Sequence, residues 1–340
     1  MPQVLGEYID RLATVEMRPA SGNLPRGAMH RLYGAVRRKY GEPLVTRAVR
    51  AFAEAAEPGA NVVILTGAGG PPVLPHSEVD GIPGAVALAR ALHFGFGLEV
   101  TILSEARAEP PIRATVRAAG MNYRRPGQPA QAHAVTFEVS PIDRAEAAAH
   151  AEDLMGRLDP AIMIAIEKLA PNAKGIIHGA TGIDYDALHT KPDEYFSRAA
   201  AKGILTFGIG DGGNEAGFGV VAEEIRDIMP AGRKCQCGCG GGSTTVLATD
   251  EFLVAAISDW GGYAVGAMTA FMTGAQRAML TPSDLDRMLR ACIDAGALDG
   301  AFGTPEIADD GVPLPGQLAY VQMLNTLVEV AQSTLDSPGH

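Results

Sequence analysis

ILTFGIGDGGNEAGFG, residues 204–219, decides how this chain is read. An apolar, β-rich run, ILTFGI (204–209), ends in glycines, and the turn that follows carries Asp211, Asn214 and Glu215. Glycine lets the backbone take positive φ and come close to a ligand. Carboxylates supply hard oxygen ligands or carry protons. A strand ending this way is expected to present an active-site turn. Gly208, Gly210 and Gly213 also satisfy the G-x-G-x-x-G of dinucleotide folds. A phosphate, however, needs bare backbone N–H groups at a helix N-terminus, and Asp211 and Glu215 would set negative charge against it. Where that fingerprint wants a second strand ending in an acid, about 20 residues on, the chain has AGRKCQCGCGGG (231–242). The bland alternative is a structural turn with solvated acids.

Outward from this strand, short β-rich runs alternate with helical periodicity. The strands expected are NVVIL (61–65), EVTIL (99–103), AVTFEV (134–139), AIMIAI (161–166), TTVLA (244–248) and FLVAAI (252–257). Between them GAVALARALHFG (84–95) and AEAAAHAEDLMGRL (145–158) place apolar residues at i, i+3 and i+4. Nearly continuous apolar strands between helices imply an α/β fold with a largely parallel sheet, a mixed one also being compatible, covered by helices on both faces. Residues 1–57 read as a helical lead-in, 58–260 as the sheet core and 261–340 as mainly helical. No repeat or long polar linker divides them, so one domain over 1–340 is expected.

The 340 residues are 47% apolar, enough for a substantial core. With 28 basic and 39 acidic residues the formal charge is −11, which argues against nucleic acid or an anionic membrane surface as partner. A small-molecule ligand is expected, and a homo-oligomer is compatible. MPQVLGEYIDRL lacks a basic segment followed by an apolar one, and no apolar run approaches the ~20 residues of a membrane span, so a cytoplasmic protein is expected. Cys235, Cys237 and Cys239 lie close together and Cys292 stands alone, unlike a secreted disulfide framework. In an extended segment the three clustered sulfurs would share one face and could meet a soft metal. A fourth ligand is not evident, and a loop tolerant of small residues is the competing reading.

In parallel sheets ligands sit beyond the carboxyl ends of the strands. After NVVIL comes TGAGGPPVLPHSEVDGIPGA (66–85), which brings His76, Glu78 and Asp80 to a helix start with Pro83 near its first position. Glu167 follows AIMIAI, and Asp259 and Trp260 follow FLVAAI. Each acid alone is more often a helix cap than a catalyst. Their convergence is the argument: Glu78, Asp80, Glu167, Asp211 and Glu215 in one crevice would need a cation or shared protons. An all-oxygen set favours Mg²⁺, Mn²⁺ or Ca²⁺ over zinc. His76-Ser77-Glu78 also spells the H-x-E of zinc nucleobase deaminases, but the P-C-x-x-C that such enzymes need is absent.

Taken together, TGAGGPP (66–72), EVDGIPGAVALARAL (78–92), IGDGGNEAGFG (209–219) and SDWGGYA (258–264) resemble the D-glutamate cyclase family. The resemblance runs from RLYGAVRRKYG (31–41) to the LDG and DDG turns near the C-terminus. It implies a lyase that closes glutamate, or a related amino dicarboxylate, to 5-oxoproline with loss of water, assisted by a divalent metal. In that chemistry Asp211, with a catalytic part as well, and Glu78 suit metal anchors, and Glu215 a proton carrier that is also a metal ligand. Asp80, Glu167 and Asn214 suit further ligands or orienters, with Glu167 counted among the catalytic groups. Thr66, Gly67 and Gly69 would present donors to a substrate carboxylate, with Asp259 and Trp260 also near the substrate. Two departures bear on substrate choice. An E-R-x-G stretch and a tyrosine-bearing segment are replaced by Glu167-Lys168-Leu169-Ala170 and Gly175-Ile176-Ile177-His178-Gly179, and S-N-W becomes Ser258-Asp259-Trp260. The competing enzyme class is a Mn²⁺- or Mg²⁺-dependent phosphohydrolase, disfavoured by the scarcity of Lys and Arg in these motifs.

Overall fold

The computed structural model describes residues 1–19 and 24–336. Residues 20–23 of the lead-in and 337–340 of the C-terminal segment lie outside the described residues. Seven strands form one sheet: β1 (Asn61–Thr66), β2 (Glu99–Ser104), β3 (Asn122–Arg124), β4 (Ala134–Val139), β5 (Ile162–Ile166), β6 (Leu205–Gly210) and β7 (Glu251–Val254). Their order is β3-β4-β2-β1-β5-β6-β7, and every pairing is parallel. The chain leaves central β1 towards β2 and returns on its other side at β5, so β1 and β5 bound the crevice at which such sheets bind ligands.

Alternation sorts the strand side chains into two cores. Val62, Ile64, Ile102, Ile164 and Phe207 face α3 (Leu44–Ala55), α4 (Ile82–Phe96) and α9 (Ser258–Thr273). Val63, Leu65, Leu103 and Met163 face α6 (Arg144–Leu158) and α7 (Pro192–Ala201). The first layer is thickened by α1 (Pro2–Ala13), α2 (Ala28–Tyr40), α5 (Glu109–Ala118), α10 (Pro282–Asp294) and α11 (Leu314–Asp336). A short helix, α8 (Ala222–Ile228), follows the Asp211 turn, and a two-stranded hairpin, β8 (Ala308–Asp309) with β9 (Val312–Pro313), precedes α11. No described helix is long and apolar enough to cross a membrane.

Three strand expectations differ from the structure. TTVLA (244–248) is not a strand: its amides turn instead to loop carbonyls, Thr245 N–H to Gly213 O at 3.2 Å and Val246 N–H to Pro171 O at 3.1 Å. The last strand is Glu251–Val254 rather than 252–257, because Ala255–Ile257 leave the sheet to start α9. Edge strand β3 carries no apolar run and was not foreseen.

α4 and α9 cross almost backbone to backbone. A Cβ at Gly262 would lie 2.6 Å from the carbonyl oxygen of Gly84, so neither helix could approach the other with a side chain there. This contact fixes the helix starts that carry Asp80 and Asp259.

Candidate active site

In-register pairing places Thr66 beside Ile166 and Ile166 beside Ile209, so β1, β5 and β6 end at one level. The residues just beyond open onto a cavity of about 170 Å³ lined by Arg18, Gly69, Glu78, Glu167, Tyr185, Asp211, Asn214, Glu215 and Asp310, among others. Five carboxylates thus share one cavity of amino-acid size. Asp211 is the pivot: its carboxylate comes within 4.8 Å of those of Glu167 and Glu215, and also of those of Asp80 and Asp310.

Each wall residue is held differently. Glu167 takes φ +45°, an uncommon left-handed conformation for a non-glycine residue of the kind that concentrates at functional sites. Its carboxylate accepts from Ser258 Oγ at 2.6 Å. A Cβ at Gly81 would lie 2.6 Å from Glu167 Cβ, so this glycine makes room for it. Glu215 accepts from the backbone N–H groups of Gly212 (3.1 Å) and Asn214 (3.1 Å), which fix its oxygens; burial raises its pKa, against the lowering effect of these bonds and of Arg18. Asn214 Nδ2 donates to the carbonyl of His178 at 2.9 Å.

Arg18 is the cationic side chain in this wall. Its guanidinium donates to Asp211 Oδ2 at 2.6 Å and also pairs with Asp310. Burial alone would lower the Arg18 pKa, but the charges of Asp211 and Asp310 outweigh it and keep the group protonated. Burial raises the pKa of Glu78 well above the usual carboxylate range, as do the charges of Asp310 and Glu215. Burial likewise raises Glu167 well above it, reinforced by Glu215 and Asp211, and raises Asp211 despite Arg18. So concentrated a set of buried acids is balanced either by retained protons or by a further cation. The donor set fits a hard divalent ion: all oxygen, buried, converging on Asp211, and with more carboxylates than Arg18 can neutralise.

Other residues singled out in the sequence stand behind the wall. Asp80 caps α9, accepting from the amides of Ser258 (3.0 Å) and Asp259 (2.8 Å). Asp259 returns the arrangement to α4, accepting from Gly81 N–H (2.9 Å) and Gly84 N–H (2.6 Å). Thr66 is buried and donates its hydroxyl to Gly81 O at 2.7 Å. Gly67 O accepts from the Lys168 ammonium at 3.2 Å. Trp260, fully buried, stacks on Tyr320 and donates to Gln317. Of the residues expected to meet substrate, Gly69 and Asn214 line the cavity, and Thr66, Gly67, Asp259 and Trp260 do not. His76 bonds through Nδ1 to the Arg107 carbonyl, away from the Cys235–Cys239 segment.

Sequence reasoning missed Arg18, Tyr185 and Asp310. Arg18 is a lone basic residue in an irregular segment after α1, with nothing in its neighbours to mark it. Asp310 lies in the DDG turn, whose acids were a usable signal. Also unforeseen is the Lys168–Glu105 pair below the wall, with Nζ to Oε1 at 2.7 Å and both side chains buried.

A family model described as D-glutamate cyclase-like, C-terminal, matches residues 34–325. The chain belongs to the D-glutamate cyclase-like family. A human relative, named D-glutamate cyclase, mitochondrial, is 26% identical over 285 residues, which cover 75% of this chain and 43% of that protein. The chain therefore spans less than half the length of that relative. Within this D-glutamate cyclase-like fold, the segments that carried the sequence resemblance lie at the carboxyl ends of β1 and β6 and at the starts of α4 and α9.

The Asp259 departure has a testable consequence. Asp80, Asp259 and Asp309 are buried with carboxylate oxygens within 4.8 Å of one another. Among the described residues neither Asp309 oxygen meets an N–H or hydroxyl donor, which suits a proton shared between carboxylates. Burial pushes the Asp259 pKa up to about 7, against the lowering effect of its bonds from Gly84 and Gly81. A carboxyl raised above its unfolded value contributes stability that is fully present below that value and is lost as pH rises through the folded one. Asp259→Asn keeps an acceptor for both amides and removes the charge. Each pKa unit is worth about 1.4 kcal/mol, so the variant is expected to match the parent near pH 4 and to exceed it by up to several kcal/mol at pH 8. Urea unfolding at both pH values checks this, and an Asp259→Asn protein less stable at pH 8 would contradict the shared-proton account.

Proposed function

We propose that the cavity cyclises D-glutamate, or a closely related amino dicarboxylate, to its five-membered lactam with loss of water. The observation that carries this reading is the joint placement of Arg18 and five carboxylates in a cavity of amino-acid size, in a chain of the D-glutamate cyclase-like family.

The reaction needs the substrate ammonium nitrogen to lose two protons, attack its own γ-carboxyl carbon and displace one oxygen, which leaves as water with those two protons. No proton is gained or lost overall. The site must fold the chain, neutralise a poor electrophile and carry protons from nitrogen to oxygen. In this reading Arg18, whose Nη1 holds Asp211 and Asp310, also pairs with one substrate carboxylate, and the wall acids pair with the ammonium. A rigid cavity holding the substrate curled removes most of the entropy cost of ring closure.

Asp211 and Glu215 would hold a divalent cation, with Glu78, Glu167 and Asp310 in reach of the same space. When bound, such an ion supplies charge neutralisation at the γ-carboxylate. Proton transfer was expected of Glu215, but the two backbone N–H groups that hold its oxygens suit a fixed ligand better. Glu167 suits proton transfer better: burial, reinforced by the charges of Glu215 and Asp211, raises its pKa well above the usual carboxylate range, and Ser258 orients it. Asp80 is committed to the α9 amides and is left to a supporting role.

Purified protein incubated with both enantiomers of glutamate, other amino dicarboxylates and phosphate esters, with and without Mn²⁺ or Mg²⁺, tests the reading by mass spectrometry. A metal-dependent product lighter by one water is expected from a glutamate-type substrate. Phosphate release without any lactam would favour the phosphohydrolase alternative.

A further inference from the structure

Cys235-Gln-Cys237-Gly-Cys239 plays no part in the chemistry above, and its lack of a fourth ligand was the sequence's objection to a metal there. The fold supplies that ligand from the loop after β5. His178, 59 residues before Cys237, is buried with Nε2 3.1 Å from Cys237 Sγ and 3.9 Å from Cys239 Sγ. Cys235 Sγ lies 3.3 Å from Cys239 Sγ and 3.6 Å from Cys237 Sγ. All four atoms fall within 4.8 Å of one another. With Zn–S near 2.3 Å and Zn–N near 2.0–2.1 Å, the corners of a tetrahedral site lie about 3.5–3.8 Å apart. The observed separations straddle that range, and the sulfurs are too far apart for a disulfide, whose bond is about 2.05 Å.

The surroundings are those of a thiolate metal site. His178 Nδ1 bonds to the Ile176 carbonyl at 3.1 Å; donation there leaves the Nε2 lone pair facing the sulfurs, the usual orientation of a ligating histidine. Cys239 Sγ accepts from Asn172 Nδ2 and from Gly241 N–H, each at 3.4 Å, and such donors stabilise a thiolate. Gly238 and Gly240 take φ +79° and +74°, the turns that coil the chain around its own sulfurs.

The geometry points to a structural Cys₃His zinc site, separate from the carboxylate cavity, that holds one wall of that cavity in place. Three soft sulfurs and an imidazole select zinc over the hard cation suited to the acids. All four positions are filled by protein, so this zinc is structural rather than catalytic. It joins the 172–182 loop to the 232–242 loop, a link also made by Gln236 N–H to Gly182 O at 2.8 Å and Asn172 Nδ2 to Gly242 O at 2.7 Å. The His178 carbonyl positions Asn214, and Gly179, Ala180 and Thr181 line the cavity directly.

The test is metal content, independent of activity and of the proposed reaction. Full-length protein purified under reducing conditions is expected to retain one zinc per chain by elemental analysis, and Asp211→Asn should retain it too. Cys237→Ser and His178→Ala should each lower retained zinc at least tenfold. Cobalt exchanged into the parent protein should give an intense thiolate charge-transfer band and tetrahedral visible bands, which decides the question even if those variants fold poorly. The proposal is overturned by parent protein without zinc and without the cobalt bands, by zinc retained in Cys237→Ser, or by a Cys235–Cys239 disulfide found in the freshly purified chain.

Discussion

Glu167→Gln is expected to lower turnover by about 10²–10⁴-fold, the range for a lost general acid or base, while divalent cation binding stays within about tenfold of the parent. Glutamine keeps an oxygen facing the cavity and can still meet Ser258, but it cannot move a proton. Asp211→Asn should do the opposite to binding: it removes charge from the residue common to both carboxylate groups, so the cation should bind much more weakly and activity should recover partly at high metal concentration. Glu215→Gln is a poorer probe. An amide nitrogen there would confront the N–H groups of Gly212 and Asn214, donor against donor, and disturb the turn itself. Calorimetric metal titration beside steady-state kinetics separates the two roles. If Asp211→Asn binds the cation as tightly as the parent, or Glu167→Gln turns over normally, the assignment fails.

The second large effect is structural. Lys168 and Glu105 form an ion pair at 0% and 2% side-chain exposure, and the Lys168 ammonium also donates to the carbonyls of Thr66 (3.3 Å) and Gly67 (3.2 Å) at the end of β1. Burial lowers the Lys168 pKa, and Glu105 opposes this by favouring the ammonium. Lys168→Met leaves Glu105 buried without its main partner, and removing one member of such a pair costs about 3–5 kcal/mol. Denaturant unfolding should show that loss, and adding Glu105→Gln should restore a good part of it, because the penalty lies in the stranded charge rather than in the missing amine. Unchanged stability in Lys168→Met, or no recovery in the double variant, would contradict this reading.

What the sequence made legible follows from burial. β1, β2, β4, β5 and β6 are covered on both faces or nearly so, and each is written as a continuous apolar run. β3 is a three-residue polar edge and leaves no such trace. The β-branched run at 244–248 misled because its composition suits a strand while its amides are taken by Gly213 O and Pro171 O. Strand ends led to Glu78, Glu167, Asp211 and Glu215, since parallel strands must finish on one edge. The same logic could not separate Asp80 and Asp259, which cap the crossed helices, from the acids that reach the cavity. Arg18 and His178 were beyond it altogether. Each reaches its partners from a loop far away in sequence, and only the packing of α1 near the sheet edge and the return of the chain after β5 bring them there.

Glutamate carrying heavy oxygen in both γ-carboxyl positions shows whether the Asp211 cavity breaks a bond at the γ-carboxyl group of a glutamate-type substrate. Metal-dependent formation of 5-oxoproline that keeps one heavy oxygen while the other appears in water is expected, with the reaction much weaker in Asp211→Asn at the same moderate metal concentration. Failure of the parent protein to form lactam from either enantiomer with Mn²⁺ or Mg²⁺ supplied, or equal lactam formation by Asp211→Asn, would contradict it.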